Sequence, residues 1–316
     1  MGSRDPIAVA SAVRAAKQRV GITVDGKYRI TGVIGVGGMG VVYEAQHLFL
    51  DRTVALKVLH PRYEDAQDAA QRFLREAQAL GRIGHRAIVS VLDGGFLDGT
   101  TPYLVMERLV GENLAYRIHR RKGLRVEQAV TVMREVFKGL GAAHAKGIVH
   151  CDLKPENVFL VDSAITAGAI KLLDFGVAKM VATKFDEEHL GTHAYGTPEY
   201  MAPEQLTGGE IEPRTDLYGT GAVAYEALTG APPFGQRQKN RKPMFMRILR
   251  EKPPPITGVR ERVPRPLAEF VIRLLSKTPD ERPESALSAL EELDAMKLAP
   301  AASLAQIRVV PKRELP

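Results

Sequence analysis

The sequence predicts an α+β protein in two lobes, a small strand-rich lobe followed by a larger, mainly helical one. β-branched strand patterns crowd residues 28–109, and helical periodicity takes over from Asn113 onward. The length, 316 residues, is enough for one large domain or two moderate ones with a sizeable core. Apolar residues at 45% and charged residues at 26% describe an ordinary globular chain, and no apolar run approaches a membrane span.

Residues 1–27 mix Ala, Val, Arg and Lys and read as an N-terminal extension, a short helix before the Asp25-Gly26 turn. YRITGVIG, GVVYEAQHL and TVALKVLH then alternate β-branched residues with glycine or charged turns, the mark of strands. One long helix interrupts them: EDAQDAAQRFLREAQALGRI carries Ala69, Phe73, Ala77 and Leu80 on one face. The first lobe covers about 28–108, and a connection near 107–112 leads into a second lobe at about 113–298. There VEQAVTVMREVFKGLGAAHAKG sets Val132, Val136, Leu140 and Ala143 at helical spacing and is expected to end on Gly147 as a left-handed cap. DLYGTGAVAYEALTG is apolar nearly all round, which predicts a buried central helix. RPLAEFVIRLLSK and SALSALEELDAM close the ordered part, and residues 299–316 read as a tail or linker. No internal repeat is visible.

One cysteine cannot form an internal disulfide, and the N-terminus lacks the apolar stretch of a secretory signal, so a reducing, cytoplasmic setting is expected. The formal charge of +7 suits an anionic ligand such as a nucleotide, but a basic surface kept for solubility explains it equally well. The positive charge is spread and no nucleic-acid recognition motif is present, so no nucleic-acid partner is expected.

GVGGMG, residues 35–40, matches the spacing of phosphate-binding glycines, a weak signal alone. A dinucleotide fold needs a helix after the glycines, whereas Val41, Val42 and Tyr43 continue as a strand; a P-loop needs a closing Gly-Lys-Ser/Thr, which is absent. A strand–glycine–strand hairpin fits a lid whose backbone N–H groups approach phosphates. Lys57 ends the apolar run VALK, where a cation could reach those phosphates, or it is an ordinary strand-edge lysine. Glu76 flanks the buried face of the following helix and can point towards Lys57, or it is an exposed helical glutamate.

With the HCDLKPEN stretch at 150–157, DFG at 174–176, APE at 202–204, Asp216 and Arg282, the chain from Tyr28 to Leu298 resembles the eukaryotic-type Ser/Thr protein kinases, and its lack of long insertions looks bacterial. The resemblance implies the two-lobed protein kinase fold, ATP, and Mg²⁺ with Mn²⁺ as an alternative ion. It implies Asp152 as the group that takes or orients the acceptor hydroxyl's proton, and Lys154 as the cation on the transferring phosphoryl. It implies Asn157 and Asp174 as metal ligands, and Thr197 as a residue that bonds near Asp152 and Lys154 and helps to orient the acceptor. Gly35, Gly37, Gly38 and Gly40 would cover the phosphates, with Lys57 holding them and Glu76 fixing Lys57. Ile34, Val42 and Ala55 would roof the adenine and Phe159 would floor it. Met106 would be the gatekeeper, and Glu107 and Leu109 would offer backbone groups to the adenine edge. Arg282 would pair with Glu204.

DLKPEN and GTPEYMAPE resemble Ser/Thr rather than tyrosine kinases and favour protein substrates, with a homodimer for autophosphorylation in trans as one arrangement this allows. Cys151 departs from the family's usual Arg, the residue that grips a phosphorylated activation loop, so activity weakly dependent on loop phosphorylation is expected, with Thr192 and then Thr183 as candidate phosphosites. FDEEH at 185–189 and GQRQKNRK at 235–242 are charged stretches that fit solvated loops. The rival reading, a catalytically dead scaffold or nucleotide-sensing module, would need loss of Lys57, Asp152 or Asp174, and all three are present.

Overall fold

The computed structural model describes residues 6–37, 40–59, 73–74, 77–78, 80–162, 169–175, 198–235, 243–256 and 262–298. Gly38, Glu76, Thr183, Thr192 and Thr197, the acidic stretch 185–189, residues 236–242 of the basic stretch and the tail 299–316 lie outside the described residues. The chain divides into two units, residues 1–84 with 89–109, and residues 85–88 with 110–316.

The first unit is built on a six-stranded antiparallel sheet with strand order β1-β2-β3-β4-β6-β5. Its strands are β1 (Thr23–Val24), β2 (Tyr28–Val36), β3 (Gly40–His47), β4 (Arg52–Leu59), β5 (Val91–Leu97) and β6 (Thr101–Glu107). Strand β3 shows the period of two that the sequence announces: Val41, Tyr43 and Ala45 are buried, while Val42, Glu44 and Gln46 on the other face are only partly so. Strand β4, flanked by β3 and β6, is buried from Val54 to Leu59. The extension packs onto this unit. Helix α1 (Pro6–Lys17) contributes Ala16 to the core formed by Val24, Tyr28, Ile30, Tyr43 and Tyr103. Phe73 and Leu80, from the face predicted for the long helix, are buried and Ala77 is half-buried; residues 73–74, 77–78 and 80–83 are helical.

The second unit holds a small antiparallel sheet of β7 (Gly111–Asn113), β8 (Val158–Val161) and β9 (Ile170–Leu172). Around it run α2 (Leu114–Arg121), α3 (Val126–His144), α4 (Pro203–Thr207), α5 (Pro213–Thr229), α6 (Met244–Arg250), α7 (Arg265–Leu274) and α8 (Ala286–Ala295). The Asn113 side chain caps α2 by accepting the Tyr116 N–H at 2.8 Å, and Ser285 caps α8 through the Ser288 N–H at 3.0 Å. Val132, Val136, Leu140 and Ala143 all face the core of α3. The regular helix runs to His144, and Gly147, at φ +70°, closes it as the expected left-handed cap: the Ile148 N–H bonds to the Ala143 carbonyl at 3.1 Å and the Gly147 N–H to the His144 carbonyl at 2.9 Å. Helix α5 is buried without a break from Thr215 to Tyr225, as its all-round apolar pattern requires. Gly219 makes room on it: a Cβ there would stand 3.1 Å from the Cβ of Leu153, in the loop that carries Asp152. Among the described residues, no helix is long and apolar enough to cross a membrane.

Candidate active site

In the first unit the glycine stretch is the tip of the β2–β3 hairpin. Gly35 pairs with Val42, and the Gly37 N–H closes the turn on the Gly40 carbonyl at 2.8 Å. Gly40 is held by packing: a Cβ on it would lie 2.3 Å from the Val58 carbonyl oxygen, so only glycine lets β3 and β4 pair there. No described residue stands within 4 Å of a Cβ on Gly35. Lys57 is no strand-edge lysine: it is 7% exposed in the central strand β4, opposite Val42 and Leu104, with its ammonium 5.9 Å from the Phe73 ring centroid. Burying an ammonium costs free energy unless it is paired.

Ala55 is buried and pairs across the sheet with both Glu44 and Met106, while Val42 is half-buried and Ile34 is exposed. Met106 itself is buried against Ala55 and Val91. The strand beyond it is pinned on two sides. The Glu107 carboxylate accepts the Ser90 N–H at 2.7 Å and its own N–H bonds to the Ser90 carbonyl at 3.0 Å. The Arg108 guanidinium pairs with Glu44 of β3 at 2.7 Å and also donates to the Leu109 carbonyl. This Glu44–Arg108 clasp is absent from the sequence reading, because the two residues are 64 positions apart and neither belongs to a motif.

In the second unit, HCDLKPEN forms a loop that runs through a short 3₁₀ turn at Pro155–Asn157 into β8. The Asp152 carboxylate lies 2.8 Å from the Lys154 ammonium. The Asn157 side-chain Nδ2 donates to the Asp152 backbone oxygen at 2.8 Å and to its carboxylate at 3.3 Å. That orients the amide and leaves Oδ1, an oxygen suited to a hard cation, as its other polar atom. The Asn157 carbonyl accepts the Leu173 N–H at 2.9 Å, so the loop is tied directly to the residue before Asp174. Asp174 has φ +42°, a left-handed conformation for a residue other than glycine, and Phe175 behind it is fully buried with its ring 4.3 Å from that of His150. Phe159 lies half-buried on β8 opposite Asn113 and Lys171.

Three residues that support this loop were not given roles by the sequence alone. Asp216, buried on α5, accepts the backbone N–H groups of His150 at 2.7 Å and Cys151 at 2.9 Å, and the His144 ring at 2.8 Å. His150 is wholly buried, and burial pushes its pKa down, which keeps the imidazole neutral. Its Nε2 faces the Leu173 carbonyl at 3.0 Å while Nδ1 receives the Asp152 N–H at 3.3 Å, a pair of contacts that fixes the Nε2–H tautomer. Gln205 of α4 donates to the Cys151 carbonyl at 2.8 Å. Asp216 stands among the motif residues of the sequence without a role there; Gln205 left no signal in the sequence. Arg282 and Glu204 do meet, in a buried two-pronged ion pair at 2.7 and 2.9 Å.

The family model for the protein kinase domain matches residues 28–293. Serine/threonine-protein kinase pkn3 of Myxococcus xanthus is 37% identical over 281 residues, 88% of this chain and 51% of that protein. Pkn1 of the same organism is 40% identical over 86% of this chain and 38% of its own length. PknL of Mycobacterium tuberculosis is 35% identical over 93% of this chain and 69% of its own length. The chain thus spans about half or less of the two Myxococcus relatives. The crystal structure of the Mycobacterium tuberculosis PknI kinase domain superposes with a TM-score of 0.68 and 27% identity, over 87% of this chain and 98% of that one. Two units of the expected kinds, a matched family model and these bacterial Ser/Thr relatives converge on one conclusion: the chain belongs to the protein kinase family.

Proposed function

We propose that this chain transfers the γ-phosphoryl group of ATP to Ser and Thr hydroxyls of proteins, itself included. The observation that carries the reading is the Asp152–Lys154–Asn157 group, an ammonium and an amide each within hydrogen-bond reach of one carboxylate, on a loop pinned by buried Asp216. Phosphoryl transfer asks a protein mainly for positioning and charge. Asp152 orients the acceptor hydroxyl and receives its proton. Lys154 offsets the charge of the phosphoryl in transit. Asn157 Oδ1 and the Asp174 carboxylate would hold a divalent cation, Mg²⁺ or alternatively Mn²⁺, which when bound neutralises phosphate charge. Lys57, steadied by Glu76, grips the nucleotide phosphates beneath the backbone of Gly35, Gly37, Gly38 and Gly40. Ile34, Val42, Ala55 and Met106 would line the adenine, and Glu107 and Leu109 would meet its edge. Thr197 would help orient the acceptor.

Cys151 refines the reading. Its thiol is 5% exposed and faces the Val149 carbonyl at 3.6 Å, so it offers no charge with which to grip a phosphorylated loop. Activity accordingly depends little on activation-loop phosphorylation, even where one copy phosphorylates another.

The test is transfer from labelled ATP and Mg²⁺ to the chain itself and to a Ser/Thr peptide library. Asp152→Asn and Lys57→Met should each lower turnover more than about tenfold while leaving thermal unfolding near that of the parent chain. A variant that keeps more than roughly a tenth of the parent activity removes its residue from the assigned role.

A further inference from the structure

The residue before Asp152 adopts a conformation it does not favour. Cys151 has φ +62°, a region uncommon for any residue but glycine, and such a backbone persists only where its surroundings hold it. Its N–H is held by Asp216 Oδ1 and its carbonyl by Gln205 Nε2. The peptide plane joining Cys151 to Asp152 is therefore clamped at both ends: Gln205 bonds its oxygen at 2.8 Å, and its N–H bonds back to the His150 carbonyl at 2.9 Å. Rotation of that plane is the motion that would swing the Asp152 carboxylate.

Gln205 is itself buried, and its amide is used twice. Oε1 accepts the Ala202 N–H at 2.9 Å while Nε2 reaches the Cys151 carbonyl, 54 residues away in sequence. One side-chain amide thus joins the chain entering α4 to the peptide that aims Asp152. Only a group with both an acceptor and a donor can do this in a buried site without leaving a polar atom unpaired.

We propose that Gln205 is a positioning residue for Asp152: it locks the 151–152 peptide and couples the aim of the carboxylate to the segment 198–207. The proposal rests on the kinase reading above. It accounts for a loop whose Cys151 side chain carries no charge, because the loop is held through its backbone.

Gln205→Glu separates this role from simple capping of α4. The substituted carboxylate still accepts the Ala202 N–H, but when ionised it has no donor for the Cys151 carbonyl, and when protonated it regains one. Peptide phosphorylation by Gln205→Glu, Gln205→Leu and the parent chain should be measured from about pH 6 to about pH 8.5, with circular dichroism melts at each pH. At the alkaline end Gln205→Glu should lose about tenfold or more in kcat with its KM for ATP within about twofold of the parent. Its kcat relative to the parent should climb back as the pH falls, whereas Gln205→Leu should remain low throughout. A Gln205→Glu to parent ratio that is the same at every pH overturns the proposal, whether activity is kept or lost, and so does full activity in Gln205→Leu. A parent chain that phosphorylates nothing with ATP and Mg²⁺ refutes the kinase reading instead, and the proposal falls with it.

Discussion

Arg282 is the residue whose removal should cost the second unit most for a single side chain. Its side chain is 0% exposed and meets Glu204, 8% exposed, through two N–H to carboxylate contacts at 2.7 and 2.9 Å. It also donates to the carbonyls of Arg214 at 2.9 Å and Ser276 at 3.0 Å, and it lies over the Tyr218 ring at 5.1 Å. Arg282→Ala would leave a buried carboxylate without its counter-charge and the carbonyls of Arg214, Ser276 and Lys277 short of a donor. Breaking such a pair costs about 3–5 kcal/mol, far more than the net worth of the intact pair. Urea unfolding reads this directly, by circular dichroism because the chain contains no Trp. With a slope of about 3 kcal/mol per molar, the midpoint should fall by roughly 1–1.7 M. The double variant Arg282→Met with Glu204→Leu removes both charges and should recover most of the loss. A midpoint shift below about 0.3 M in Arg282→Ala, or a double variant no more stable than the single one, would refute the reasoning.

Lys277 offers the opposite sign. Its ammonium lies 4.3 Å from the Phe234 ring centroid, has no hydrogen-bond partner among the described residues, and is pushed by burial down to about 8 from 10.5. The unfolded chain therefore binds that proton more tightly, so the penalty is present in full below about pH 8 and fades as pH rises towards 10.5. Lys277→Met should raise stability at neutral pH by roughly 1 kcal/mol, after discounting for solvent exposure, and a lowered melting temperature would contradict this. Glu226 is pushed by burial up to about 7, with Glu156 and Glu199 adding to the rise and the Tyr200 hydroxyl at 2.6 Å opposing it. A raised carboxyl destabilises the fold as pH climbs from 4.5 to about 7, by up to about 3 kcal/mol, and Glu226→Gln should flatten that part of the stability profile. An unchanged profile in the variant would remove Glu226 as its source. Thr192→Ala and phosphatase treatment should each leave peptide phosphorylation within about threefold of the untreated chain, under ~1 kcal/mol; a loss above about tenfold that rephosphorylation restores would refute the reading of Cys151.

Much of the fold was written in local pattern. The alternation in GVVYEAQH, the apolar run around Lys57 and the unbroken apolar surface of Thr215–Tyr225 each declare a period and a burial that neighbouring residues suffice to encode. The same holds for Asp152, Lys154 and Asn157, which meet because five positions of one loop bring them together. What the sequence could not declare are partnerships made by chain closure. The fate of the Cys151 backbone rests on Asp216, 65 residues away, and on Gln205, 54 away; Glu44 finds Arg108 across 64. Even Gly40, which reads as a phosphate-binding glycine, is required by the Val58 carbonyl of the neighbouring strand, a constraint that exists only once β3 and β4 have paired. Residue type and spacing determine which side chains can do the chemistry. Which of them are held still enough to do it depends on buried hydrogen bonds between segments distant in sequence, and those form only when the tertiary fold has removed water from between them.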